Sequence, residues 1–310
     1  MIPRRSRRFS STHKRPAALK PGMTMALVAP AGPFPSAQVE TIQRLLRDEG
    51  FQVVTGRHIH TRDRYLAGPD AFRARDLLWA LTDPQVDAIF TIRGGYGSSR
   101  LLTRLPLSSL GAKAKLLCGY SDITFLHAAL GTLARWVTFH GPNAIEFAED
   151  PQVLKRTLAF LQGTRPFQWA LPNSVILQEG RAEGRVVGGN LTCFSHLVGT
   201  PYMPDVDGAL LFLEDKAEAP YRIDRMLMHL KAAGILHRIA GLIGGTFTDC
   251  GDPDEIRMIL KEYTAARPIP VVLGLPFGHG HCNDVLPLGA RFILDTSRGV
   301  LACEEPPLDP

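Results

Sequence analysis

From about residue 25 onward, short apolar runs alternate with stripes of apolar residues at helical spacing. Runs bounded by Gly, Pro or Asp predict buried strands, and the stripes predict helices laid across them. Met25–Ala29 reads as a strand closing at Pro30-Ala-Gly-Pro33, followed by a helix over Ser36–Glu49 with Val39, Ile42, Leu45 and Leu46 inward. Phe51–Thr55 is a second strand, residues 70–82 a helix ending near Asp83-Pro84, and Val86–Ile92 a third strand. A helix is expected from Ser98 through Leu101 and Leu102. Leu116–Cys118 is a buried strand, and Ile123, Leu126, Leu130 and Leu133 share one side of the helix after it. Trp136–Phe139 is the next strand, and a helix carries Val153, Leu154, Leu158 and Leu161.

Strands alternating with helices specify an α/β fold, an open parallel sheet with helices on both faces in the manner of flavodoxin. The rhythm breaks over residues 143–185, where a Pro-, Gly- and Gln-rich passage includes Pro172 and Gly180. The expected division is a disordered tail at 1–17, a first domain at 18–165, a linker at 166–185 and a smaller α/β domain at 186–305. The second domain opens at Val186–Asn190, with a helix through Leu191, Phe194, Leu197 and Val198. Then come a strand over Gly208–Glu214, a helix over Ile223–Gly234, and strands at Ile239–Ile243, Val271–Leu273 and Ala290–Leu294.

Composition narrows the function classes. Of the 310 residues 45% are hydrophobic and 21% charged, with no apolar run long enough to span a bilayer, so no membrane partner is expected. The net charge of +5 hints at nucleic acid, but Arg4, Arg5, Arg7, Arg8, Lys14 and Arg15 all precede residue 18, and the remainder is close to neutral. A nucleic-acid role would therefore rest on the tail alone, and none is expected. Arg7-Arg8-Phe9 invites an export-signal reading, but Met23–Ala31, the apolar run that follows, is short and better used as a strand. A cytoplasmic location is expected. The five cysteines (118, 193, 250, 282 and 303) are odd in number and scattered, which fits a reducing compartment and argues against a disulfide framework or zinc site.

Candidate chemistry clusters in four places. Gly119-Tyr-Ser121-Asp122 is a tight turn between strand and helix, which would expose a serine hydroxyl beside a helix N-terminus. The alternative is that Ser121 only caps the helix, since Ile123 stands where a G-x-S-x-G elbow has its second glycine. Arg93-Gly-Gly-Tyr-Gly97 follows a strand; it serves as an anion loop, as an oxyanion hole from the N–H groups of Gly95 and Asp122, or as a plain turn. It lacks the Lys and Ser/Thr of a P-loop. Glu214 ends its strand beside Asp215 and Glu218, as a solvated strand end would. His279 and His281 lie in a glycine-rich loop with no third metal ligand nearby, so no metal is expected. The order Ser, Glu, His matches that of serine hydrolases on parallel sheets.

Arg93–Gly97, Gly119–Thr124, Phe139-His-Gly-Pro142, Gly188-Gly-Asn-Leu191, Leu213-Glu-Asp215 with Tyr221–Arg225, and Gly274–His279 together resemble the LD-carboxypeptidase family. That family includes murein tetrapeptide carboxypeptidases and microcin C self-immunity hydrolases. The resemblance runs from about Lys20 to Ala290. It implies a serine peptidase of two domains, without metal or other cofactor, commonly a homodimer, acting on a small peptide. It further implies Ser121 as nucleophile, Glu214 as the acidic member, His279 as the base, and Gly95 and Asp122 as oxyanion donors. Arg93, Tyr96 and Arg222 are the candidates for substrate binding, the arginines for a terminal carboxylate. Departures are Pro30-Ala-Gly in place of a Pro-Ser-rich turn and Asn143 where methionine is commoner. The alternatives are an aminoacyl-nucleotide hydrolase or a non-enzymatic module binding a phosphorylated ligand.

Overall fold

The computed structural model describes residues 13–111, 113–171 and 175–310. In chain order its strands are β1 (Thr24–Val28), β2 (Gln52–Thr55), β3 (Ala88–Thr91), β4 (Leu116–Gly119), β5 (Thr138–His140), β6 (Gln168–Ala170) and β7 (Val175–Gln178). They continue with β8 (Arg181–Asn190), β9 (Leu210–Lys216), β10 (Gly241–Thr248), β11 (Val271–Leu273), β12 (Leu286–Leu288), β13 (Arg291–Asp295) and β14 (Val300–Cys303).

The first sheet runs β12-β5-β4-β3-β1-β2. Pairings among β1 to β5 are all parallel, and β12 joins antiparallel to β5. Every residue of β3 and β4 is buried, as continuous apolar runs require when helices cover both faces. Helix Ala37–Asp48 turns Val39, Ile42 and Leu46 into one layer, and helix Asp70–Thr82 contributes Leu77, Ala80 and Leu81 to the other. The helix expected from Ser98 is only a 3-10 turn over Ser99–Arg104. Pro106 disfavours the α conformation in Leu105 before it, so the coil stops there.

The second sheet runs β6-β14-β13-β8-β9-β10-β11-β7. Its centre, β8 to β11, is parallel, and antiparallel strands flank it on both sides. The expected linker at 166–185 is thus largely sheet: it supplies β6, β7 and the start of β8, while Pro172 lies outside the described residues. Helix Pro253–Thr264, which the pattern reading leaves unassigned, packs on helix Pro220–Ala232.

The tail boundary also moves. Residues 1–12 lie outside the described residues, but Lys14 bridges to Trp136 and Ala17 to Asp309, Pro16 is buried, and Arg15 pairs with Asp309 at 2.8 Å. Positions 13–17 therefore belong to the fold rather than to a disordered tail, held by backbone pairing and the Arg15 ion pair as well as by the burial of Pro16. The two halves meet closely beside the serine turn. The Asn190 N–H donates to Thr124 Oγ1 at 3.0 Å, and a Cβ on Gly189 would lie 2.4 Å from that oxygen.

Candidate active site

β4 delivers the chain to Tyr120 in extended backbone, and Ser121 then adopts a φ of +66° before the turn Ser121–Ile123 and helix Thr124–Ala129. A left-handed serine costs about 1–2 kcal/mol relative to an ordinary conformation, so the surrounding structure must hold it there. Tyr120, not Ser121, stands at the N-cap of the turn and makes no side-chain capping bond, so Ser121 lies inside the turn at positive φ, as an elbow serine would. Gly94 packs directly on it, and a Cβ at position 94 would lie 2.9 Å from the Ser121 Cβ.

The loop after β3 is stitched to the same turn. The Ser98 N–H donates to the Asp122 carboxylate at 2.8 Å, and Ser98 Oγ donates to the Asp122 carbonyl at 2.6 Å. Asp122 is 2% exposed, and burial pushes its carboxyl above the usual carboxylate range. On the other side, the Gly32 N–H donates to the Gly94 carbonyl at 2.9 Å. Gly95 has a φ of +101°, which glycine adopts without strain.

Glu214 overturns its reading as a solvated strand end. It is fully buried, and its Oε2 accepts from His279 Nδ1 at 2.7 Å and from the His279 N–H at 3.3 Å. A carboxylate on Nδ1 holds the imidazole in the tautomer that leaves Nε2 as a proton acceptor. The loop bearing His279 is pinned by Thr248 Oγ1 on the His279 carbonyl at 2.8 Å and by the Gly278 N–H on Asn283 Oδ1 at 2.9 Å. Asp215 faces another way: its carboxylate accepts from Asn190 Nδ2 at 2.8 Å and from the Thr192 N–H at 2.9 Å, anchoring the start of helix Leu191–Ser195.

Tyr120, absent from the candidates drawn from sequence, joins the two halves of the site. Its ring centroid lies 4.7 Å from that of His279, and its ring meets His140 edge-on at 5.8 Å. Its adjacency to Ser121 in Gly-Tyr-Ser-Asp was the available signal. Beneath it, burial pushes Glu146 up to about 7, while its Oε1 accepts from the Asn143 N–H at 3.0 Å.

The three substrate-binding candidates are all exposed. Arg93 is exposed and donates from Nη1 to the Pro33 carbonyl at 2.7 Å. Tyr96 is 49% exposed, its ring 5.9 Å from that of Tyr65. Arg222, exposed in the first turn of helix Pro220–Ala232, pairs with Glu218 just before that helix at 3.3 Å. His281 is exposed, and among the described residues no group of three or more His, Cys, Asp or Glu is placed to hold a metal ion.

Residues 25–141 match the LD-carboxypeptidase N-terminal domain, and residues 183–294 match the LD-carboxypeptidase C-terminal domain. The chain belongs to the LD-carboxypeptidase family. A putative carboxypeptidase of Synechocystis is 37% identical to it over 295 residues, covering 93% of this chain and 96% of the relative. The murein tetrapeptide carboxypeptidase of Pseudomonas aeruginosa is 32% identical over 290 residues, covering 88% and 94%. Among solved structures, MccF in complex with glutamyl sulfamoyl guanosine has a TM-score of 0.85 at 25% identity, covering 95% of this chain and 99% of that one. The muramoyltetrapeptide carboxypeptidase of Oxalobacter formigenes has a TM-score of 0.78 at 32% identity, covering 90% and 97%. As an LD-carboxypeptidase family member the protein is a hydrolase with the family's two-domain α/β fold. No helix among its described residues is long and apolar enough to cross a membrane.

Proposed function

We propose that this protein is a serine carboxypeptidase that hydrolyses the amide joining a terminal D-amino acid to an L-configured centre, as in a murein tetrapeptide, during peptidoglycan recycling. The observation that carries the reading is the 2.7 Å contact between His279 Nδ1 and a fully buried Glu214, set against the elbow that holds Ser121 at positive φ. His279 Nε2 takes the Ser121 proton as Oγ attacks the amide carbonyl, and Glu214 stabilises the imidazolium that results. The N–H groups of Gly95 and Asp122 receive the oxyanion, each contributing about 3 kcal/mol to the transition state. His279 then protonates the departing amine, and water enters to release the acyl group by the same steps in reverse. No cofactor enters these steps. A cytoplasmic homodimer is part of the same reading, following the family.

The likeness to MccF favours a second substrate, an aminoacyl-sulfamoyl nucleotide, cut by the same triad. Incubation with an L,D-linked tetrapeptide, its all-L counterpart and aminoacyl-sulfamoyl nucleotides, followed by mass spectrometry, separates the two. Release of D-Ala from the first alone is expected. Cleavage of the all-L peptide at a comparable rate would remove the stereochemical claim, and turnover confined to the nucleotides would favour the second reading.

A further inference from the structure

Helix Asp70–Thr82 buries an arginine that the triad does not touch. Arg73 is 3% exposed, and a cation so deeply placed persists only when its donors are met. Nε donates to the Gly68 carbonyl at 2.9 Å, Nη1 to the Gly97 carbonyl at 2.9 Å and also to the Pro30 carbonyl, and Nη2 to the Asp70 carboxylate. Asp70 is itself held from outside by Arg100 Nε at 2.9 Å.

The three carbonyls belong to three separate segments that converge on the elbow. Pro30 precedes Gly32, whose N–H holds the Gly94 carbonyl; a Cβ on Gly32 would lie 2.9 Å from that oxygen. Gly97 closes the Gly94–Gly97 loop and is followed by Ser98, which is tied to Asp122 on both its N–H and its hydroxyl. Gly68 lies in the segment whose neighbour Ala67 donates to the Ala31 carbonyl at 2.9 Å. Gly95 is therefore flanked on one side by Gly32 and on the other by Gly97, and one guanidinium bonds to the Gly97 carbonyl and to that of Pro30, two residues before Gly32. A Cβ on Gly97 would lie 3.0 Å from Arg73 Nη1, so the loop is laid directly on the arginine. A planar fork bonds acceptors in different directions at once, whereas a lysine ammonium on a flexible stem would not reproduce that geometry.

We propose that Arg73 is the positioning residue of the oxyanion hole, fixing the Gly95 peptide against Ser121 by clamping the carbonyls of Pro30, Gly68 and Gly97. The inference rests on the reading of Gly95 and Asp122 as oxyanion donors. Substrate groups do not meet Arg73; it acts through the loop, so its loss falls on the chemical step rather than on binding. Displacing a catalytic donor by about 1 Å costs on the order of 100-fold.

The test compares wild type, Ser121→Ala, Arg73→Lys and Arg73→Ala in hydrolysis of the cleaved substrate, with the rate of fluorophosphonate labelling of Ser121 read in parallel. Circular dichroism and thermal melts establish folding. Arg73→Lys is expected to lower kcat and labelling rate roughly 10- to 100-fold while KM moves less than about threefold. Methylguanidinium added to Arg73→Ala is expected to restore at least about fivefold of the lost kcat, a rescue that a merely stabilising residue would not show. A folded Arg73→Lys with kcat within about twofold of wild type, a loss confined to KM, or absence of rescue in folded Arg73→Ala would overturn the proposal. If neither variant folds, Asp70→Asn decides: it keeps the fork and removes its counter-charge. Asp70→Asn is expected to lose several-fold in kcat at unchanged KM, and a kcat within about twofold of wild type overturns the proposal. Full activity in Ser121→Ala would instead sink the serine reading itself.

Discussion

Gly278 and Glu214 approach so closely that a Cβ at position 278 would lie 2.4 Å from Glu214 Oε2. The backbone there has a φ of +95°, so the site demands glycine for space and for conformation at once. Gly278→Ala should push the loop off the carboxylate and lengthen the His279–Glu214 contact. We expect kcat to fall by about 100-fold or more with a modest loss of stability. Steady-state kinetics beside a thermal melt check this, and near-normal kcat would show that the loop adapts.

Ser121→Ala, Glu214→Ala and His279→Ala should each reduce turnover by roughly three orders of magnitude, and a double variant should be little worse than the worst single one. Asp215→Asn separates the neighbouring carboxylate from the triad. Because Asp215 anchors Asn190 and Thr192, the substitution should lower the melting temperature while leaving kcat within about tenfold of wild type. A kcat loss matching that of Glu214→Ala would transfer the acidic role to Asp215.

Burial holds the Glu146 carboxyl at about 7, above the ordinary glutamate range. The folded protein thus keeps a proton that the unfolded chain gives up near pH 4.5, and stability falls as pH rises from there to about 7. Above that the carboxylate is ionised in both states, and its full cost, about 1–2 kcal/mol after allowance for partial exposure, remains. Glu146→Gln is neutral throughout. Its melting temperature relative to wild type should be nearly unchanged at pH 4.5 and rise progressively to pH 8. A difference independent of pH would show that Glu146 does not titrate in this window.

A chain beginning at Ala18 loses the bridges at Lys14 and Ala17 and the ion pair between Arg15 and Asp309. At about 1 kcal/mol per backbone hydrogen bond, the melting temperature should drop by roughly 3–8 °C. Differential scanning calorimetry reads this, and activity measured below the transition should be retained because residues 13–17 bond to Arg135, Trp136 and the C-terminal segment rather than to the triad. An unchanged melting temperature would mean those pairings contribute nothing.

The parallel core was legible because each strand there is a closed apolar run and each crossing helix has a one-sided stripe. Val271–Leu273 was placed to the residue, and the Ser121 strand, turn and helix fell where the pattern puts them. The flanking strands β6, β7 and β14 escaped because they are short and partly exposed, and β6 and β7 are defined by antiparallel partners distant in sequence. Helix Pro253–Thr264 did carry a signal, Asp252 as cap with Pro253 at the first position. Its stripe of Ile256, Leu260 and Thr264 is narrow, which hid it. For the candidate site, motif order singled out Ser121, Glu214 and His279, and the structure brings the last two into contact, but the burial of Glu214 was illegible. Asp215 and Glu218 beside it suggest water, whereas the neighbouring strand at Gly245 and the loop at Gly278 and His279 close over the carboxylate in the fold.

β12 begins seven residues after His279, and it leaves the second half of the chain to complete the edge of the first sheet beside β5. The histidine's loop is thus strung between its own sheet and its neighbour's. Swinging one half away from the other would require unzipping a β-ladder, so the spacing between the serine turn and the histidine's loop is set by the fold itself. For the same reason the two halves cannot melt independently: heat should dismantle them in one cooperative step, and neither half expressed alone would retain both a closed sheet edge and a working base.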